Sequence, residues 1–254
     1  GRRGPIGCVE ARLACRTPSG PSPKPMRTSL LLLPLLLPPV ALLAQDDAPK
    51  VEVIDYDDEG YKYPVTRDAE GTPKDAKPTS TALAGIGLRT KTIFSVWVYT
   101  FGLYVDPVAA KEKLAAWKGK DAEALAEDEK LYAALLKDDM VKTIRLVFCR
   151  DVDGEDVEEA FEDSLRPRID AMKGKEGWDD GSKALDTFRT YFGNLDELEE
   201  YGTVAITWRP GGELHCSING KAQKTLTSKS LCWAIFDVYL GADPIEDDGK
   251  EALV

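Results

Sequence analysis

The stretch L-A-G-I-G-L-R-T-K-T-I-F-S-V-W-V-Y-T-F-G-L-Y-V, Leu83 to Val105, decides how this chain is read. β-Forming residues fill both halves, so it reads as two strands joined at a tight turn. The first strand ends in Gly85-Ile86-Gly87-Leu88-Arg89; the second carries Trp97-Val98-Tyr99 and then Gly102-Leu103-Tyr104. Arg89 and Tyr99 are polar groups set among apolar neighbours. Once the chain turns back, they come side by side at one end of a pocket. A guanidinium beside a phenol suits a carboxylate or another oxyanion, so Arg89 and Tyr99 are the candidate ligand-binding pair. Gly85-x-Gly87 lacks a third glycine and opens no helix, so it is not a dinucleotide fingerprint. It lets two strands approach or bend, and Gly102 relieves crowding or marks a bulge.

Outward from this pair, Val51–Asp55 alternates apolar and polar residues, and Gly60–Pro64 resumes after an acidic turn, as in a first hairpin. Arg67–Thr81, broken by Gly71, Pro73 and Pro78, reads as loop. Asp106-Pro107 is a helix start, and helices are expected over Val108–Trp117 and Ala122–Lys137. Met140–Cys149 alternates and then turns wholly apolar, which places it centrally in a sheet. Asp153 caps a helix to about Met172, with Val157, Ala160, Phe161 and Leu165 inward. Ser182 caps another to Phe192, with Leu185, Phe188 and Phe192 inward. Thr203–Trp208 and Glu213–Ile218 are strands joined through Pro210-Gly211-Gly212, and Asn219-Gly220 signals a tight turn. Ser228 caps the last helix, Leu231–Leu240, which ends at Gly241. Strands and helices come in clusters. That argues α+β, with a largely antiparallel sheet in one domain.

The 254 residues, 43% of them hydrophobic, allow one sizeable core or two small domains. Residues 1–25 are rich in Arg, Pro, Gly and Ser and read as an upstream extension. Met26–Ala44 has a basic start, a short apolar run and a small residue at its end, the pattern of a signal peptide. Its run is too short and too Pro-rich for a spanning helix; an uncleaved anchor is the alternative. A polar lead-in, 45–50, precedes the domain at 51–245, and 246–254 forms an acidic tail. With six basic residues and one acidic residue in the first 44, the remainder holds 27 basic against 43 acidic residues. Such a surface repels nucleic acid and anionic lipid. A secreted or periplasmic protein with no membrane span after cleavage is expected. Cys149, Cys216 and Cys232 have no metal-like spacing; they are buried free thiols, or two of them form one disulfide. The lone histidine, His215, cannot build a zinc site with them. The acidic runs Asp57–Glu59, Asp179-Asp180 and Glu246–Asp248 lack the spacing of a calcium loop. No cofactor is expected.

The pieces together resemble the chalcone isomerase-like family. They are G-x-G-x-R with V-Y-x-x-G-L-Y-V, then I-R-L-x-F-x-R-D-V-x-x-x-x-V-x-x-A-F (Ile144–Phe161) and W-R-P-G-G-E-L (Trp208–Leu214). I-N-G-K (Ile218–Lys221) and S-L-x-x-A-I-F-D-V-Y-L-G-x-D-P-I (Ser230–Ile245) complete the series in family order. The resemblance implies an open-faced β-sandwich, a large antiparallel sheet backed by helices with a ligand cleft between them. It places Arg89 in the cleft. It also implies that Arg89 and Tyr99 match the residue types that hold the ligand carboxylate in fatty-acid-binding members. The plant flavonoid enzymes carry Thr at the position of Tyr99, Tyr and Asn at Asp153 and Ala160, and Ser or Thr at Val238. Without those hydroxyls a developing enolate loses its donors. The chain therefore looks like the noncatalytic branch, most like its secreted bacterial members.

Three functions stand on this reading. The first is a binder of a small apolar carboxylate, fatty-acid-like, at Arg89 and Tyr99. The second is an isomerase or lyase on an enone, with Arg89 stabilising an oxyanion and Tyr99 polarising the carbonyl. The third is a structural or partner-binding protein of the cell envelope. The alternative to the first is that Arg89 pairs with one of the protein's own carboxylates and Tyr99 is a core aromatic; an apolar cleft filled by side chains would support the third. A ligand cleft should be open and apolar, of about 300 Å³ or more.

Overall fold

The computed structural model describes residues 51–72, 77–91 and 95–254, which belong to one unit, Ala48–Val254. The extension, signal peptide and lead-in expected over 1–50 lie outside the described residues, as does the tight turn at 92–94.

The first hairpin forms as expected, from β1 (Val53–Tyr56) and β2 (Tyr61–Pro64). Of Arg67–Thr81, read as loop, Arg67 and Asp68 instead lie in a strand, β3 (Thr66–Asp68), paired with Ser80–Ala82, whose Ser80 and Thr81 belong to the same expected loop. Thr-Arg-Asp has no apolar alternation; it is a strand because its backbone joins an existing edge. The long pair then follows as β4 (Ser80–Lys91) and β5 (Val96–Val105), with irregular register at Leu83/Gly85 and at Arg89/Thr90.

Asp106 caps α1 (Pro107–Lys113), its carboxylate accepting from the amides of Val108 at 2.8 Å and Ala109 at 3.3 Å. A 3₁₀ turn at Ala115–Trp117 replaces the end of that expected helix. The second expected helix is split into α2 (Ala122–Ala126) and α3 (Glu129–Leu135). Asp128 explains the break. It caps α3 through the Lys130 amide and also accepts the Trp117 indole N–H at 2.9 Å.

β6 (Lys142–Phe148) is the middle strand of the sheet, and β7 (Val152–Asp153) leads into α4 (Gly154–Met172). Asp153 stands at the cap position without a side-chain cap bond, and Ala160, expected inward, is exposed. α5 (Ser182–Gly193) begins after Gly181, a left-handed residue at φ 70°, so Ser182 is its first residue rather than its cap. Leu185, Phe188 and Phe192 are fully buried on it, as expected. β8 (Glu197–Leu198), β9 (Thr203–Arg209) and β10 (Glu213–Ile218) follow. Asn219 and Gly220, both at positive φ, turn the chain into β11 (Lys221–Ala222), and β12 (Leu226–Thr227) pairs β10. Ser228 caps α6 (Lys229–Leu240), its hydroxyl accepting from the Leu231 amide at 3.1 Å.

The main sheet runs β11-β10-β9-β6-β5-β4-β3, antiparallel throughout. Alternation assigns its two faces. Phe101, Leu103, Ile144, Leu146, Phe148, Val204, Ile206 and Trp208 point to the helical side and form the core with α3 to α6. Thr100, Gly102, Tyr104, Thr143 and Thr207 point to the outer face, partly covered by the β1–β2 hairpin. There the Tyr63 and Thr100 hydroxyls bond at 2.8 Å. Gly102 relieves crowding, since a Cβ would stand 2.7 Å from the Tyr63 ring. This is the α+β, open-faced arrangement expected. Among the described residues no helix is long and apolar enough to cross a membrane.

The segment set aside as an acidic tail, 246–254, continues the fold. It forms α7 (Asp247–Glu251) and then buries Leu253 completely. α6 is therefore not the last helix.

Candidate ligand-binding site

Arg89 and Tyr99 are register partners across β4 and β5. Directly opposed residues of an antiparallel pair share a face, so the two side chains lie together on the helical side, as the sequence reading expects. Tyr99 is mostly buried, its ring 6.2 Å from Phe101 and 5.7 Å from Phe148. A second phenol joins it from α6. Tyr239, fully enclosed and 4.9 Å from Phe101 between ring centroids, stands beside Tyr99. Burial pushes both phenols above their ordinary pKa; at Tyr99 the neighbouring Tyr239 hydroxyl and the Arg89 charge oppose it only in part. Both remain protonated at neutral pH and able to donate.

The Arg89 side chain is 30% exposed, at the open end of the sheet. Its Nη1 donates to the Ile245 carbonyl at 2.6 Å and to Glu246 Oε2 at 3.1 Å. The same carboxylate oxygen accepts from the Thr90 amide at 3.2 Å and the Thr90 hydroxyl at 3.4 Å. The irregular register at Arg89/Thr90 turns that amide out of the ladder. The result is a cradle of guanidinium, amide and hydroxyl around one carboxylate. Its occupant is held in place from α6 and α4. The Ile245 amide donates to the Val238 carbonyl at 2.7 Å, and Arg168 bonds both the Asp237 carboxylate at 2.9 Å and the Asp243 carbonyl.

The expected open cleft is closed by the protein itself. A Cβ at Gly85 would stand 2.1 Å from the Ala252 carbonyl oxygen, and one at Gly87 would stand 2.5 Å from that of Gly249. The two glycines thus admit the C-terminal backbone, whereas the sequence suggested a neighbouring strand. Two cavities of the described residues lie elsewhere. One of about 700 Å³ sits between Asp179–Thr187 and Lys224–Thr227; another of about 460 Å³ is walled by carboxylates, Asp153, Glu155, Asp156, Glu158 and Asp196 among them. Neither touches Arg89 or Tyr99.

Thr90, Tyr239 and Glu246 are the site residues that sequence reasoning missed. α6 is apolar nearly all round, so no periodicity singles out Tyr239, and the position assigned there to a hydroxyl, Val238, is its neighbour. Asp153 and Ala160 are exposed. His215 lies in β10, its Nδ1 3.1 Å from the Thr225 hydroxyl and its ring against Gly71, a packing role. Cys149, Cys216 and Cys232 are free thiols, and burial pushes each above its ordinary pKa. No group of three His, Cys, Asp or Glu among the described residues could hold a metal ion.

The family described as "Chalcone isomerase like" matches residues 79–254. The chain is similar to Fatty-acid-binding protein 2 of Arabidopsis thaliana, 29% identical over 183 residues, 70% of this chain and 45% of that protein. Fatty-acid-binding protein 1 of the same plant is 27% identical over 177 residues, 68% of this chain and 62% of that protein. The chain thus spans about half the length of the first and under two thirds of the second. Chalcone isomerase-like protein 2 of Humulus lupulus is 28% identical over 174 residues, 66% of this chain and 81% of that protein. The crystal structure of the Arabidopsis thaliana fatty-acid binding protein AtFAP1 shares the fold. Its TM-score is 0.62 at 24% identity, over 80% of this chain and 95% of that one. From a family match running from the start of β4 to the last residue, over the curled antiparallel sheet and helices just described, the chain belongs to the chalcone isomerase-like family.

Proposed function

We propose that this chain is a non-catalytic binder of a small apolar carboxylate, fatty-acid-like, whose head sits at Arg89 with Tyr99 donating to it. Arg89 pairs with one of the protein's own carboxylates, Glu246, as the alternative to ligand binding expects; what supports the ligand reading is that the Arg89 guanidinium and the Thr90 amide and hydroxyl all converge on one carboxylate oxygen. A cradle that holds one carboxylate has the charge and donors for another. The two protonated phenols supply further donors on the apolar side. The names of the two Arabidopsis relatives support the same ligand class. Export through Met26–Ala44 belongs to this proposal and is checked by N-terminal sequencing of the mature protein, which should begin at Gln45.

Native mass spectrometry with organic extraction tests the ligand, beside an Arg89→Ala variant. The parent should carry, or take up, a fatty-acid-sized adduct that the variant does not retain. A parent that is empty and refuses added palmitate overturns the reading. An intramolecular lyase or isomerase acting on an enone is the second reading. Tyr239 favours it, because its phenol beside Tyr99 offers an oxyanion a second donor. Turnover of an enone-bearing phenol that disappears in Tyr239→Phe would select it over simple binding.

A further inference from the structure

The groups that close the cleft over Arg89 come from the last ten positions of the chain. The Ile245 carbonyl and Glu246 carboxylate take the guanidinium, the Gly249 and Ala252 carbonyls lie on the glycine strip of β4, and Leu253 is fully buried. The seat depends on Gly85 and Gly87, where a side chain would collide with it. The anchor is polar. Lys250 Nζ donates to the Gly241 carbonyl at 3.0 Å and to Glu129 at 3.0 Å, and stands 4.2 Å from the centroid of the Tyr132 ring. The Glu129 side chain is 70% exposed, so water reaches this anchor from one side.

We propose that residues 246–254 are a displaceable latch in which Glu246 stands in for the ligand's carboxylate. The ligand replaces Glu246 at Arg89 and Thr90, and its apolar chain takes the glycine strip now covered by α7. This rests on the reading of Arg89 as a carboxylate site and adds its gating and its selectivity. At the head, one carboxylate replaces another on the same donors, so the exchange is close to neutral there. A ligand shifts an equilibrium only by its differential affinity for the two states. The difference must therefore come from apolar length, which replaces the surface that Leu253 buries. Long-chain carboxylates open the latch; acetate, with an equivalent head, does not.

The test is calorimetric titration of palmitate and acetate into the parent, Glu246→Gln and Lys250→Met, with amide exchange followed across 246–254. Glu246→Gln keeps the shape of the side chain and removes its charge. Lys250→Met keeps most of its bulk and removes the anchor. Palmitate should bind Glu246→Gln about two- to five-fold more tightly than the parent, and Lys250→Met more tightly as well. Saturation should speed exchange at the Lys250 and Ala252 amides, now bonded to the Glu246 and Asp248 carbonyls, and leave α6 unchanged. Equal affinity in all three proteins, with those amides still protected, overturns the latch and leaves the carboxylate site standing. Acetate binding as well as palmitate also overturns it. Failure of every protein to take up palmitate overturns the carboxylate site, and the latch with it.

Discussion

Two carboxylates in this protein are each held by an arginine and a threonine, and in opposite ways. Glu70, on the outer face, accepts from both terminal nitrogens of Arg67, from the Thr207 hydroxyl at 2.6 Å and from the Ser217 hydroxyl at 3.1 Å. Both its oxygens are filled, and Thr207 is bonded in turn to Thr143 at 2.7 Å. Burial alone would raise the Glu70 pKa, but the bond and charge of Arg67 and the Thr207 hydroxyl outweigh it and hold the carboxyl below its ordinary value. Glu246 gathers its contacts on one oxygen, none shorter than 3.1 Å, with a quarter of its side chain exposed. A buried network with its acceptors filled fails when one member is removed. A partly exposed ion pair is worth about 0–1 kcal/mol and exchanges readily. The same residue types make a strut in one place and a replaceable contact in the other.

The sharpest way to break that contrast is Glu70→Ala. It strands Arg67, Thr207 and Ser217 without their acceptor and should remove about 3 kcal/mol of stability, read as a lower urea midpoint. An unchanged midpoint would mean that Glu70 is no strut. Gly87→Ala comes next. Its Cβ would meet the Gly249 carbonyl oxygen at 2.5 Å and the Phe101 ring at 2.6 Å. Overpacking there should cost about 1–3 kcal/mol, with faster amide exchange confined to 246–254; exchange spreading into β6 and β9 would show the C-terminal segment to be integral to the core. Acid sharpens the comparison further. Because the folded Glu70 pKa is depressed, its stabilisation is complete above the unfolded value and is lost as pH falls below about 4.3. Urea midpoints measured from pH 6 downward should therefore drop more steeply for the parent than for Glu70→Gln. Parallel curves would remove the ionised carboxylate from the account. The smallest effect belongs to Glu246→Gln without ligand, a loss of under about 1 kcal/mol by the same denaturation. A larger loss would make Glu246 a strut as well.

What the sequence revealed followed from how local each cause was. Alternation placed β6, Pro210-Gly211-Gly212 marked the turn between β9 and β10, Asp106 and Ser228 announced their helices, and Asn219-Gly220 announced its turn, because each signal lies within a few residues of its effect. The opposition of Arg89 and Tyr99 was legible for the same reason: two adjacent strands with a short connection allow few registers. α7 was not legible. Asp-Asp-Gly-Lys-Glu carries no apolar stripe, and its partner surface is a pair of glycines more than 150 positions upstream. Gly85 and Gly87 announced a close approach without naming what approaches. Thr66–Asp68 went unread because an edge strand with no apolar face has only its backbone to declare it. The break at Asp128 depended on the distant Trp117 indole, which a helical pattern over Ala122–Lys137 does not report.

Glu246 meets Arg89 across 157 positions of chain. The entropy of closing a loop grows with the logarithm of its length, so this contact forms late, once the sheet and α6 have already brought the two ends together. Contacts absent from the folding transition state change unfolding rates and leave refolding rates alone. Glu246→Gln should accordingly steepen nothing on the refolding arm and raise only the unfolding arm. Such arms would show the chain reaching its sheet first and shutting its own cleft last.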